Sequence, residues 1–430
     1  MNKKIAIILI IAAFLGGFFA HNMVLAEKSP QIQTKIQTQT DDLYKELELF
    51  SDAVSIIRAD YIEEAKSKDL IYGALKGMLS SLDPYSQFMD PEMYNELKIE
   101  TEGEFGGIGI EITIKDDLLT VIAPIEDTPA YKAGLKPGDK IVKIDGKLTK
   151  DLTLMEAVKK LRGKPGTDVK VTVLREKEKS LLDFVITRSI IKIESIKRSE
   201  IIEDGIGYIR LVEFQENTHR DLEKKLKELE QQGIKGLVLD LRNNPGGLLD
   251  AAVQTSEKFL EENKIIVSTR GRTKNQDMVF TSKNKNPHTG YPMVVLINAG
   301  SASASEIVAG ALQDNKRAII MGTKSFGKGS VQTVVPLSDG SAVRLTTSKY
   351  FTPNNRSIHG EGITPDIIVE YQEPNTTEEK HKPDIFEELM EEEEKEVPEA
   401  DKKKDIKSKY DNQVLSAVDV LKGIILYSGK

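Results

Sequence analysis

Three residues in one stretch, Met293 to Gln332, have the types and spacing for nucleophilic chemistry. Ser303 lies in Asn298-Ala299-Gly300-Ser301-Ala302-Ser303-Ala304-Ser305-Glu306, where a predicted helix opens and runs to about Asn315. Unpaired backbone N–H groups and the helix dipole at such a terminus stabilise an anion. Lys328 stands between Gly327 and Gly329, and Gln332 follows on the next predicted strand. A lysine serves as the base for a hydroxyl only when its amine is neutral. Its reference pKa of about 10.4 leaves it almost wholly charged at neutral pH, and lowering that by about 3 units corresponds to roughly 4 kcal/mol. Burial in a closed apolar site supplies a shift of that size. Plainer readings exist: Ser303 with Glu306 also fits a capping box, and Lys328 also fits a surface loop. What favours chemistry is the combination of a serine at a helix N-terminus after a buried strand with a lysine in a loop tight enough to need two glycines. Ser301 and Ser305 are rival nucleophiles, and Lys324 is a rival base that lacks flanking glycines. Of His21, His219, His288, His359 and His381, only His359 lies near motif-like residues, and it reads as a loop histidine. No His/Glu spacing suggests a metal, and no cofactor is expected.

The elements that must position these residues read as α/β from Ile191 to Tyr371. Continuous apolar runs at Gly236–Asp240 and Met293–Ile297 predict buried strands, and Ala318–Met321 predicts another. Thr218 to Gln232 is an amphipathic helix ending at Gly233, and Leu249 to Leu260 is helical. Between them lies Arg242-Asn243-Asn244-Pro245-Gly246-Gly247. Pro-Gly suits the central positions of a type II turn, and such a turn can aim N–H groups at developing negative charge. An ordinary strand-to-helix connection is the plainer alternative.

Residues 101 to 190 read as short strands, glycines and one helix over Thr153 to Leu161. Gly107-Ile108-Gly109-Ile110 and Ala133-Gly134-Leu135-Lys136-Pro137-Gly138-Asp139 together resemble the two signatures of a PDZ domain. That resemblance implies capture of a peptide's terminal carboxylate by the backbone of the first loop. The peptide would add as a strand beside Ile108 to Ile112, with its last side chain in an apolar pocket.

The span from Asp240-Leu241-Arg242-Asn243-Asn244-Pro245-Gly246-Gly247, through the serine motif, to Gly327-Lys328-Gly329 and Gln332 resembles the carboxyl-terminal processing (tail-specific) proteases. The separation of Ser303 from Lys328 agrees with the serine and lysine of that family. The resemblance runs from about Asp41 to the end. It implies a crotonase-like serine protease core of α/β class, with an inserted PDZ domain and helical N- and C-terminal regions. It also implies Ser303 as nucleophile, Lys328 as base and Gln332 as the residue orienting the amine. Ala304 and one of Gly246 and Gly247 would form the oxyanion hole. Arg162, after the PDZ helix, is the expected messenger to the protease loop near Gln332 when a peptide is bound. Rival readings are a catalytically inactive peptide-binding scaffold and an acyl-CoA enzyme, for which no CoA site is legible.

The 430 residues carry a net charge of −8, without the basic excess that nucleic-acid binding wants, and no cysteine, which removes thiolate catalysis and disulfides. Residues 1–26 read as a signal peptide or a retained membrane anchor: Lys3 and Lys4 precede an apolar run from Ile5 to Ala20, and Val24-Leu25-Ala26 could be cut. Either places the chain outside the cytoplasm. Residues 27–40 read as a linker and 41–100 as a helical region, with Leu43, Leu47, Phe50, Val54, Ile57 and Tyr61 on one face. The PDZ domain spans 101–190 and the protease core 191–371. Residues 372–430 read as an acidic linker, including Glu391 to Glu394, and a final helix expected to dock on the N-terminal helices. The expected partners are protein C-terminal tails and a second copy of the chain.

Overall fold

The structure, a computed structural model, describes residues 30–115, 118–150, 152–175, 180–372 and 409–428. The leader or anchor at residues 1–26 and the acidic run at Glu391 to Glu394 lie outside the described residues. The chain divides into two units, Met1–Phe88 and Met89–Lys430.

Among the described residues the first unit holds two helices, Pro30–Asp60 and Ser67–Ser80. The first helix replaces the expected linker over residues 30–40. Leu43, Leu47, Phe50 and Ile57 in it, and Tyr61 just beyond its end, are all exposed, so the apolar periodicity describes a face without a core of its own.

In the second unit, a six-stranded sheet forms the centre of the α/β core. Its order is Ile196–Ile201, Ile206–Leu211, Gly236–Asp240, Met293–Ile297, Ile319–Gly322 and Ile367–Ile368. The first pair is antiparallel and the rest are parallel. Both faces are covered, which is why Gly236–Asp240 and Met293–Ile297 are apolar without alternation. Leu237, Leu239, Met293, Val295 and Ile297 face the core built with helices Thr218–Gln231, Leu249–Glu257 and Ala304–Asp314. Val238, Val294 and Leu296 face the opposite way, onto Val414, Ala417, Val418 and Leu421 of the C-terminal helix Asn412–Ser428. That helix therefore spends its apolar face on its own core sheet. Arg242 fastens its start, donating to Asp240, Asp411 and Gln413.

The module expected to resemble a PDZ domain has its own core, with Ile108, Val121, Ile141, Ala157, Leu161 and Val171 buried. Its sheet runs Ile110–Lys115, Leu118–Pro124, Lys140–Ile144, Asp168–Arg175 and Ser180–Thr187, which leaves Ile110–Lys115 as an edge. Helix Leu154–Leu161 begins with a capping box between Thr153 and Glu156. A ribbon of Glu104–Gly107 against Ser189–Lys192 closes the module where the chain enters and leaves. A further antiparallel sheet pairs Ala342–Phe351 with Ser330–Pro336 and with Ile265–Gly271.

Candidate active site

Strand Met293–Ile297 delivers the serine motif at its C-terminal end. Asn298 Oδ1 there accepts the N–H groups of Asn243 and Gly300, and its amide donates to Asn243 Oδ1. The turn after the neighbouring strand is thereby tied to the serine turn. Ser303 then adopts φ +52°, ψ −111°, a region that non-glycine residues rarely occupy. It directly precedes helix Ala304–Asp314 and is 8% exposed. The rival serines are spent on structure. Ser301 Oγ donates to Leu241 O, and Ser305 Oγ donates to Asn244 O.

Asn244 organises the opposite wall. Its Oδ1 accepts the Gly246 N–H at 2.9 Å, its Nδ2 donates to Leu211 O, and its carbonyl accepts the Ala302 N–H. Gly246 has φ +111°, as the Pro-Gly reading requires, and it abuts the serine. A Cβ there would lie 2.8 Å from Ala302 O, 2.9 Å from Ser303 Cβ and 3.0 Å from Ala304 N. The N–H groups of Ala304 and Gly247 donate to no acceptor among the described residues.

Glu306 is the residue that sequence reasoning undervalued. Its carboxylate is fully buried and accepts four hydrogen bonds. Oε1 takes Ser325 Oγ and the Gly327 N–H, both at 2.6 Å. Oε2 takes the Ser303 N–H at 2.8 Å and the Lys328 N–H at 2.9 Å. Burial pushes its pKa up while these donors pull it down, and the upward push prevails. The capping-box pattern located the Ser303 bond, whereas the bonds to the lysine loop had no signal in sequence.

Lys328 is half-buried, and burial lowers its pKa. The positive charge of Arg344 lowers it further, and Glu306 opposes both. A Cβ on Gly329 would collide with the His359 backbone, so the glycine beside the lysine is required by close approach. Lys324 is exposed and faces a different cavity with Arg356 and Glu361. His359 is exposed.

Ser303, Lys328, Gln332, Gly246 and Gly247 all line one cavity of about 500 Å³, together with Leu97, Glu100, Phe214, Arg344 and Tyr350. Gln332 Nε2 donates to Ser330 Oγ at 2.8 Å and, more weakly, to Thr346 Oγ1 at 3.5 Å. A hydroxyl in a strained turn, a half-buried amine and free N–H groups on one wall are the parts needed for acyl transfer.

In the PDZ-like module the carbonyls of Ile108 and Gly109 accept the N–H groups of Ala130 and Ile125. The N–H groups of Ile108 and Gly109 meet no acceptor among the described residues. The Arg162 guanidinium donates through Nη1 to both Glu96 Oε1 at 2.6 Å and Oε2 at 2.7 Å, and it lies over the Phe105 ring. Glu96 belongs to helix Pro91–Glu102, whose Leu97, Glu100 and Thr101 line the cavity.

Fold and site together define a serine protease: an α/β peptidase core with a PDZ domain inserted ahead of it. Comparison with known proteins agrees. Peptidase family S41 matches residues 205–369, the PDZ domain matches 106–185, and the activating protease CtpB N-terminal domain matches 9–93. The carboxy-terminal-processing protease of Bartonella bacilliformis is 47% identical over 84% of this chain and 82% of its own. Carboxy-terminal processing protease CtpB of Bacillus subtilis is 36% identical over 86% of this chain and 78% of its own. A solved photosystem II D1 C-terminal processing protease is 32% identical, covering 73% of this chain and 85% of its own, with a TM-score of 0.44. The chain belongs to the carboxy-terminal-processing proteases of peptidase family S41.

Proposed function

We propose that this chain is an extracytoplasmic endopeptidase that captures polypeptides by their C-termini and cleaves them with Ser303 and Lys328. The observation that carries this reading is the single buried carboxylate of Glu306, which holds the backbones of both residues at the wall of one cavity. Ser303 Oγ attacks the scissile carbonyl carbon, and its proton passes to the neutral Lys328 amine. The tetrahedral oxyanion is received by the N–H groups of Ala304 and Gly247. Gly246 is the less suitable donor because its N–H is already bound by Asn244. Lys328 then protonates the departing amine. Water, deprotonated by the same lysine, releases the acyl group and regenerates Ser303. Gln332 orients the amine. Its N–H groups serve Ser330 and Thr346, so its carbonyl oxygen is what it offers.

The PDZ domain supplies capture. The free N–H groups of Ile108 and Gly109, in the loop Gly107–Ile110, suit a terminal carboxylate, and the edge strand Ile110–Lys115 suits an added strand. Arg162 couples capture to cutting through Glu96 and the helix that walls the cavity. The exposed apolar face at Leu43, Leu47, Phe50, Ile57 and Tyr61 supports a homodimer. The leading apolar segment supports export, with cleavage or anchoring at the membrane. Among the described residues no helix is long and apolar enough to cross a membrane. Family membership and the intact serine and lysine favour an active enzyme over an inactive scaffold.

Casein digestion by wild type and Ser303→Ala tests the reading: hydrolysis should vanish in the variant. Persistent cleavage would refute it. Mass spectrometry of envelope proteins with and without the chain should reveal trimmed tails.

A further inference from the structure

Tyr350 lines the same cavity as Ser303 and Lys328 and has no role in the scheme above. Its side chain is only 5% exposed and packs in the main core, yet its hydroxyl meets no hydrogen-bond partner among the described residues. The hydroxyl is also not among the sealed polar atoms that lack a partner, so it reaches open space. A buried ring with an open polar tip is therefore directed at the cavity. A hydroxyl at the wall of a protease cleft with no protein partner keeps its donor and acceptor capacity for what the cleft binds.

The backbone fixes where this tip stands. Tyr350 N–H donates to Gly329 O at 2.7 Å, which fastens the tyrosine beside the lysine loop. The pairing of Ala342–Phe351 with Ser330–Pro336 shifts register between Val331 and Gln332, so Tyr350 lies on one side of the bulge and Thr346, which reaches Gln332, on the other; both Tyr350 and Gln332 line the cavity. Burial, then the charge of Asp250, pushes the phenol pKa up, so the group is a neutral donor across the working range.

We infer that the Tyr350 hydroxyl binds substrate, donating a hydrogen bond to a main-chain carbonyl of the polypeptide threaded past Ser303. A main-chain carbonyl is the acceptor that every polypeptide offers, whatever its side chains. The inference rests on the proposed Ser303 and Lys328 site.

The test is Tyr350→Phe, which keeps the ring and removes only the hydroxyl. Cleavage of a tail peptide should lose about tenfold in kcat/KM, the size of one neutral hydrogen bond. The loss should be the same at every pH, because the phenol does not titrate where Lys328 does. Labelling of Ser303 by a small fluorophosphonate, which has no peptide carbonyl to bind, should proceed at the wild-type rate, and the melting temperature should not change. Wild-type peptide cleavage in the variant would overturn the inference. So would an equal loss towards both reagents, a shifted pH profile, which would mean that the hydroxyl acts through Lys328, or a fall in melting temperature, which would reveal a structural partner. Failure of wild-type Ser303 to react with the fluorophosphonate would instead defeat the underlying site assignment.

Discussion

Glu306 Oε2 accepts the backbone N–H of Ser303 at 2.8 Å and that of Lys328 at 2.9 Å, so one oxygen sets the two segments against each other. Both carboxylate oxygens are saturated with donors. Glu306→Gln must turn an NH2 group towards N–H groups on one side. Stability should fall by about 1–3 kcal/mol, the cost of unsatisfied buried polar groups. kcat/KM should fall by about 100-fold, because the base and the nucleophile lose their common reference. Chemical denaturation and peptide kinetics measure the two, and a full-rate variant would remove Glu306 from the positioning scheme.

The lowered pKa of Lys328 sets the sign of the pH dependence. The base works when neutral, so kcat/KM should rise with pH and level off below the ordinary lysine range. Burial is the first cause and Arg344 the second. Arg344→Gln removes a like charge, raises the lysine pKa and should move the rise to higher pH. A pH–rate profile on free enzyme reads this directly. Lys328→Met should abolish hydrolysis at every pH.

Gly246 has both a positive φ and contact with the serine segment. Gly246→Ala would push a methyl group against Ala302 O, Ser303 and the Ala304 N–H. A loss of about 100-fold or more in kcat is expected, comparable to removing an oxyanion donor. Burst titration of active sites checks that the folded fraction is unchanged.

Arg162 and Glu96 form a partly exposed ion pair, and its worth to stability is small. Its predicted effect is on coupling. Arg162→Ala should change the ratio of peptide-stimulated to basal cleavage, and Glu96→Gln should change it too. Unchanged basal and stimulated rates in both variants would rule out a messenger role.

Asp411 ties the C-terminal helix to the buried Arg242. Burial alone would raise its pKa, but the hydrogen bonds and charge of Arg242 hold it below the usual carboxylate range. A depressed folded-state pKa contributes stability above the unfolded value, and that stability is lost as pH falls through the folded one. Asp411→Asn should therefore cost about 1–3 kcal/mol at neutral pH. It should also flatten the loss of stability on acidification below about pH 4. Thermal melts of both proteins across pH decide it.

Local sequence determined a great deal here. Unbroken apolar runs at Gly236–Asp240 and Met293–Ile297 announced buried strands, Gly246 announced a turn, and the glycines at 327 and 329 announced a tight loop. These signals are legible because periodicity and positive φ are properties of a few neighbouring residues. Tertiary structure alone decided that Glu306 serves Lys328 as well as its own helix cap. It also decided that Ser301 and Ser305 are spent on carbonyls of the neighbouring turn, that Arg162 rests on Glu96, and that helix Asn412–Ser428 covers the core sheet. Each of these joins residues distant in the chain, and the identity of such a partner depends on which surfaces the folded sheet brings within a hydrogen bond's reach.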